Sequence, residues 1–270
     1  MGTNAGIVIN VSIPLTLFPQ RLDHLKCVVD AVLPQMQRTD RLVFVDDRSC
    51  KEVQEYLASV AAESPLRIQV IHRDLASLPE RLSEDGRPWR LASSRNLGVA
   101  KLGDCAFYVF LDADCVPIEG WLEAYREMRM AHLFKLPRVT FGQTQHQGLT
   151  HSEGSYLDPR LCGRDPGDMV RRLVALFERG GGGNMAICHY AWEQTGGFDE
   201  AFDGGFGYEE TELACRAYEH GGEVLYVPDA KVLHLYHSRT KTHFHNMERN
   251  RRLFMVRTGL SAFARNVTQA

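Results

Sequence analysis

The chain has 270 residues, 44% of them hydrophobic, and a formal charge of −3. That is the profile of a globule with a core large enough to fold without disulfide or metal staples. Its near-neutral charge argues against a broad nucleic-acid surface and leaves room only for a local basic patch, and no apolar run reaches the roughly 20 residues a membrane helix needs. Seven cysteines, an odd number with no Cys-x-x-Cys pair, argue against a disulfide framework or a thiolate zinc site and fit a reducing, cytosolic setting.

Ile7 to Pro14 reads as a first strand. No basic region precedes it, so no signal peptide is expected. Leu22, Leu25, Val29, Val32, Leu33 and Met36 recur at helical spacing between Arg21 and Arg38. Leu42 to Val45 is a second strand, running into Asp46-Asp47-Arg48-Ser49. A helix over 51–62 and a strand over 66–71 follow. This βαβαβ rhythm implies a parallel sheet with right-handed crossovers. Ser77 to Arg90 is a polar loop, and Leu91 to Leu102 a helix carrying Ser94-Arg95-Asn96.

Phe107 to Leu111 is a buried strand, rich in β-branched and aromatic residues, that ends in Asp112-Ala113-Asp114-Cys115. Residues two apart in an extended chain face the same side. Asp112 and Asp114 can therefore offer carboxylates to one hard divalent cation, such as Mg²⁺ or Mn²⁺, at a strand end where open α/β sheets bind ligands. On its own an Asp-x-Asp pair fits a solvated turn as well.

Beyond this point a helix is expected through Trp121 to Met130 and a strand over 137–141. Gln143 to Asp165 has the composition of a substrate loop. A helix starts at Asp165-Pro166 and ends near Arg179, before Gly180 to Asn184. Met185 to Cys188 is a strand and Gly196 to Glu200 a turn. Tyr208-Glu209-Glu210-Thr211-Glu212 opens a helix whose acids suit the helix dipole. Val224 to Pro228 is another strand, and His234 and His237 close the next. Phe244 to Phe263 is a final amphipathic helix with a basic face. With no repeat or linker, a single domain is expected, divided near residue 115.

Several stretches together resemble the GT-A glycosyltransferases, family 2 in particular. They are Val45 to Ser49, Ser94 to Gly98, Phe110 to Asp114, Gly182 to Ala186, Gly196 to Glu200, Gly207 to Leu213, and Val227-Pro228 followed by His234. The second half is also similar to the C-terminal catalytic block of the galactosyltransferases and polypeptide N-acetylgalactosaminyltransferases. The resemblance implies a Rossmann-like, mostly parallel sheet flanked by helices, with an acceptor-side extension. Residues 1–115 would form the nucleotide-sugar half and 116–270 the acceptor and base half.

It further implies transfer of a sugar from a nucleoside diphosphate, most often UDP, to an acceptor hydroxyl. Ile13 and Pro14 would face the nucleotide. Asp46 or Asp47 would bond the uracil ring, and Arg95 would approach the diphosphate or support the metal-binding loop. Asp112, Ala113 and Asp114 would form the Mn²⁺ or Mg²⁺ and diphosphate site, with His234 or its competitor His237 as a further metal ligand. Gly183 and Asn184 would lie beside the donor sugar. Glu210 falls where relatives carry the basic Asp, and Glu209 would bind a sugar or acceptor hydroxyl; two acids there favour inversion over retention. The alternatives are a retaining enzyme of the same fold, a nucleotidyltransferase, and a non-catalytic sugar-nucleotide-binding protein. The acceptor, whether sugar, natural product, peptide or lipid-linked glycan, carries no readable motif. A cytoplasmic chain is expected, one able to work at a membrane surface.

Overall fold

The computed structural model describes residues 4–13, 21–73, 89–130, 138–146, 183–235 and 242–259. The strands are β1 (Ala5–Val11), β2 (Arg41–Asp46), β3 (Arg67–His72), β4 (Phe107–Asp112), β5 (Cys115–Pro117), β6 (Arg138–His146), β7 (Asn184–Cys188) and β8 (Glu223–His234). The helices are α1 (Arg21–Val32), α2 (Lys51–Glu63), α3 (Leu91–Leu102), α4 (Trp121–Met130), α5 (His189–Thr195), α6 (Glu209–Glu219) and α7 (Thr242–Arg257). The Asp165 helix, the Gln143 to Asp165 loop beyond residue 146, Pro14 and His237 lie outside the described residues.

The strands form one mixed sheet in the order β3-β2-β1-β4-β7-β6-β8-β5. β3, β2, β1 and β4 run parallel, as the βαβ rhythm requires, and β7 pairs antiparallel to β4. β1 is central and buried on both faces, whereas β3, at the edge, has no fully buried residue. Successive side chains of a strand point to opposite faces. Ile7, Ile9 and Val11 therefore pack on one side with α1 and α4, while Val8 packs on the other with α3, α5 and α6.

Two local features set the site. Gly98 lets α3 lie against the sheet: a Cβ there would sit 2.5 Å from Val8 Cγ1. The second is β8. Two strands are expected on either side of Pro228, but the structure has one. Proline cannot donate to a ladder, so it is tolerated at a bulge; here the β6–β8 register jumps from Gly142↔Val227 to Thr144↔Val232. Past the bulge, β8 pairs with β5 and sets Cys115 opposite His234.

Candidate active site

The carboxyl ends of β1, β2 and β4 lie side by side. Ile13 is tied to the loop after β2, its N–H donating to Ser49 Oγ at 3.0 Å and its carbonyl accepting from Cys50 N at 3.1 Å. Asp46 is buried. Its Oδ1 accepts from Ser49 N at 3.0 Å, and its Oδ2 accepts from Gln54 Nε2 at 3.1 Å and meets His72 Nδ1 at 2.8 Å. Asp47 is gripped by both arms of the buried Arg90 guanidinium. Arg73 donates to Ser93 Oγ and Ser94 Oγ at 2.8 and 2.7 Å. Both acids expected at the uracil ring thus have internal partners that hold the strand-end turn.

Arg95 is the hub of a buried ion-pair network. The tight seat of Gly98, one turn further along α3, brings its guanidinium under the end of β4. It donates to Glu209 Oε1 at 3.1 Å, Glu210 Oε1 at 2.7 Å and Asp112 Oδ1 at 3.4 Å. Its Cζ lies 5.3 Å from the Phe198 ring centroid, within cation–π range. Burial alone would lower its pKa, but the carboxylates of Glu210, Glu209 and Asp112 more than offset that and raise it. Burial and the neighbouring Glu210 push the Glu209 carboxyl well up. Burial also pushes Asp112 up, opposed by Arg95; because 38% of the Asp112 side chain meets solvent, the effect on it is the smaller. Glu210 Oε2 is buried without a hydrogen-bond partner among the described residues.

The loop before α6 presents the two glutamates. Tyr208 takes a left-handed conformation, φ 72°, and its carbonyl accepts from Glu212 N at 2.9 Å. Asn250 on α7 holds this loop, donating from Nδ2 to Phe202 O at 3.0 Å and Gly207 O at 2.9 Å. Asp203 caps α3 by accepting from Ala92 N at 3.0 Å. One loop therefore joins the helix that carries Arg95 to the helix that carries its partners.

A second cluster lies at Asp114, which is buried. Arg21, first residue of α1, bonds its Oδ2. His234 Nε2 lies 3.6 Å from its Oδ1 and Cys115 Sγ 3.9 Å from the same atom. Burial, followed by the charges of Asp114 and Asp112, pushes the Cys115 thiol well up. His24, one turn along α1, has its pKa lowered by burial and by Arg21. Carboxylate oxygen and imidazole together suit Mn²⁺, so Asp114 and His234 fit such an ion. Asp112 stands apart from this group, turned to Arg95. Gly183 packs over both clusters, since a Cβ there would come within 2.8 Å of Asp112 Oδ2 and 2.9 Å of Cys115 Sγ. Ala113 forms the turn between the two acids. Asn184 is fully buried: Oδ1 accepts from Trp121 Nε1 and Tyr125 Oη, each at 2.8 Å, and Nδ2 donates to Ala230 O at 2.8 Å. Its side chain braces β7 against α4 and β8. Sequence reasoning missed Arg21, Arg90 and Asn250; only Arg21 carried a signal, as the polar residue heading the first amphipathic helix.

A family profile described as the N-terminal domain of galactosyltransferase matches residues 177–238, the stretch that holds Gly183, Glu209, Glu210 and His234. Three solved structures superpose over nearly the whole chain. The mannosyltransferase PcManGT from Pyrobaculum calidifontis, in complex with GDP-Man and Mn²⁺, gives a TM-score of 0.55 at 15% identity, covering 96% of this chain and 64% of that one. GalNAc-T7 with UDP, GalNAc and Mn²⁺ gives 0.60 at 17%, covering 92% and 47%. TarS 1–349 of S. aureus in complex with UDP gives 0.61 at 13%, covering 94% and 65%.

The fold is GT-A.

Among curated proteins, the putative polypeptide N-acetylgalactosaminyltransferase 10 of Drosophila melanogaster is 25% identical over 243 residues. That match takes in 84% of this chain and 36% of the relative, so the chain spans about a third of that protein's length. Among the described residues of this GT-A chain, no helix is long and apolar enough to cross a membrane.

Proposed function

We propose that the protein is a metal-dependent glycosyltransferase that moves a sugar, from a UDP-hexose or UDP-N-acetylhexosamine, to an acceptor hydroxyl with inversion. The observation that carries this reading is the Arg95 network. One buried guanidinium joins the acid at the end of β4 to a carboxylate pair at the start of α6, beside a second cluster fitted for a divalent cation. The structures with the same GT-A fold supply the reaction class: one is a complex with GDP-Man and Mn²⁺, another with UDP, GalNAc and Mn²⁺.

Asp114 and His234 would hold Mn²⁺ or Mg²⁺, and Asp112 would face the diphosphate beside Gly183. Such an ion, when bound, offsets the charge that develops on a leaving nucleoside diphosphate. Glu210 is the general base. Its Oε2 takes the acceptor hydroxyl proton on the face opposite the leaving group, as a carboxylate does in inverting glycosidases. Arg95 fixes the other oxygen, so the free one keeps its direction. Glu209 bonds a sugar or acceptor hydroxyl. Ile13 and the Asp46–Asp47 turn line the nucleobase side.

The test is a panel of UDP-, GDP- and TDP-sugars, with and without Mn²⁺, read by nucleoside diphosphate release and thermal shift. A UDP-sugar that binds and is hydrolysed only with metal is expected. Asp114→Ala should lose metal-dependent binding, whereas Glu210→Gln should keep binding and lose turnover. Binding without turnover of any donor would instead mark a sugar-nucleotide-binding protein. If no nucleotide sugar shifts stability under any metal condition, the reading fails.

A further inference from the structure

We propose that Cys115 gives the cation site a soft third ligand, so that Zn²⁺ or Co²⁺ binds through Asp114 Oδ1, His234 Nε2 and Cys115 Sγ in competition with the harder ion. The inference shares two ligands with the transferase reading and so rests on it, but it assigns a residue and an ion class that the reading does not use. The cysteine spacing that argues against a thiolate zinc site counts cysteines alone. It misses a mixed set assembled by strand pairing.

The geometry comes from the sheet. β5 and β8 are antiparallel, with Cys115 directly opposite His234, and residues paired in this way project to the same face. Asp114 immediately precedes the pair. The three candidate ligand atoms all lie within 4.8 Å of one another. Tetrahedral zinc has bonds of about 2.0 Å to oxygen and nitrogen and about 2.3 Å to sulfur. Such bonds set the O···N separation at about 3.3 Å and S···O at about 3.5 Å. The observed separations are 3.6 Å for Asp114 Oδ1 to His234 Nε2 and 3.9 Å for Asp114 Oδ1 to Cys115 Sγ. These two separations close by a few tenths of an ångström, and that between Cys115 Sγ and the His234 imidazole, no more than 4.8 Å, closes by about 1.3 Å at most, a change that side-chain rotation can supply. Arg21 bonds the other oxygen of Asp114 and offsets the carboxylate charge. Gly183 leaves the thiol its room.

One sulfur, one nitrogen and one oxygen, with a fourth position open, is a donor set for a borderline ion. Mn²⁺ and Mg²⁺ favour oxygen ligands, and imidazole and above all thiolate shift preference towards zinc. Binding replaces the S–H bond with an S–metal bond and releases the proton to solvent, with no change of oxidation state.

The test uses the full chain, stripped of metal, in three titrations. With Co²⁺, the wild type should show a near-ultraviolet thiolate-to-cobalt charge-transfer band that is absent from Cys115→Ser and from Asp114→Ala. Zn²⁺ affinity, read by competition with a chelating dye, should fall about tenfold or more in Cys115→Ser. Mn²⁺ affinity, read by electron paramagnetic resonance, should change less than about threefold. Cys115→Ala replaces the serine variant if circular dichroism shows that variant unfolded. Absence of the band in the wild type, its persistence in Cys115→Ser, or equal losses of Zn²⁺ and Mn²⁺ affinity would each overturn the inference. A protein that shows the band yet binds no nucleotide sugar fails the transferase reading and keeps this one.

Discussion

Replacing Glu209 with Gln should stabilise the metal-free protein at neutral pH. Glu209, Glu210 and Asp112 share one guanidinium. The Glu209 and Glu210 oxygens bond the same Nη1 at 3.1 and 2.7 Å, so they are at most about 5.8 Å apart, and two unit charges there repel by about 3 kcal/mol at an effective dielectric near 20. The charge-assisted bond from Arg95 returns about 1.5–3 kcal/mol, but the Glu209 side chain is only 2% exposed, and its desolvation tips the balance against the ionised form. The carboxyl is accordingly pushed up, by burial first and Glu210 second. A raised acid keeps its proton in the folded state where the unfolded chain has lost it. Its stabilising contribution is therefore full below the ordinary glutamate pKa and is lost as pH rises through the folded value. Glutamine does not titrate. Glu209→Gln should be about 1–2 kcal/mol more stable than wild type at pH 7.5, raising Tm by roughly 2–6 °C, and the gap should shrink towards pH 4.5. Scanning calorimetry with a chelator at both pH values measures it. A lower Tm at pH 7.5, or the same difference at both pH values, would show that the Arg95 bond outweighs the repulsion and refute the reasoning.

Other substitutions probe the scaffold around that network. Gly98→Ala should cost about 1–3 kcal/mol in urea denaturation by overpacking against Val8, and Val8→Ala in the same chain should recover part of it; additive losses would count against the clash. Asn250→Ala removes the donor to the Gly207 carbonyl and one of the donors to the Phe202 carbonyl, which keeps Gly205 N, and should cost about 1–3 kcal/mol. A loss below about 0.5 kcal/mol would mean that the loop holds itself. Arg90→Met leaves the Asp47 carboxylate buried without its main partner and should cost about 3–5 kcal/mol. Most of that should return in Arg90→Met/Asp47→Leu, checked by the same denaturation midpoints.

Much of the parallel half was legible in the sequence because its signals are local. The helix over 91–102 and the strand running into Asp112 follow from apolar runs bounded by breakers, and the structure has both. The second half was harder for physical reasons. Pro228 looks like a strand stop, yet a bulge carries β8 past it to His234. The seven-residue helix α5 is too short to show a period. Within the candidate site, the acids at strand ends announced themselves, but their partners did not. Arg95 meets Glu210 across 115 positions and Arg21 meets Asp114 across 93. Nothing in the neighbourhood of Asn184 betrays that Trp121, Tyr125 and Ala230 take up its amide.

The pairing of β5 with the end of β8 has a consequence for biosynthesis. Domains fold as they leave the ribosome, N-terminal parts first. A nascent chain that has exposed residues up to Pro117 already has the four parallel strands and both aspartates. It lacks the β8 side of the ladder, His234, Leu233 and Val232, which pair with Cys115, Val116 and Pro117. The first half can thus be assembled with Asp114 and Cys115 still without their histidine neighbour. His234 reaches Asp114 only when residues 232–235 emerge and dock, about 120 positions further along the chain.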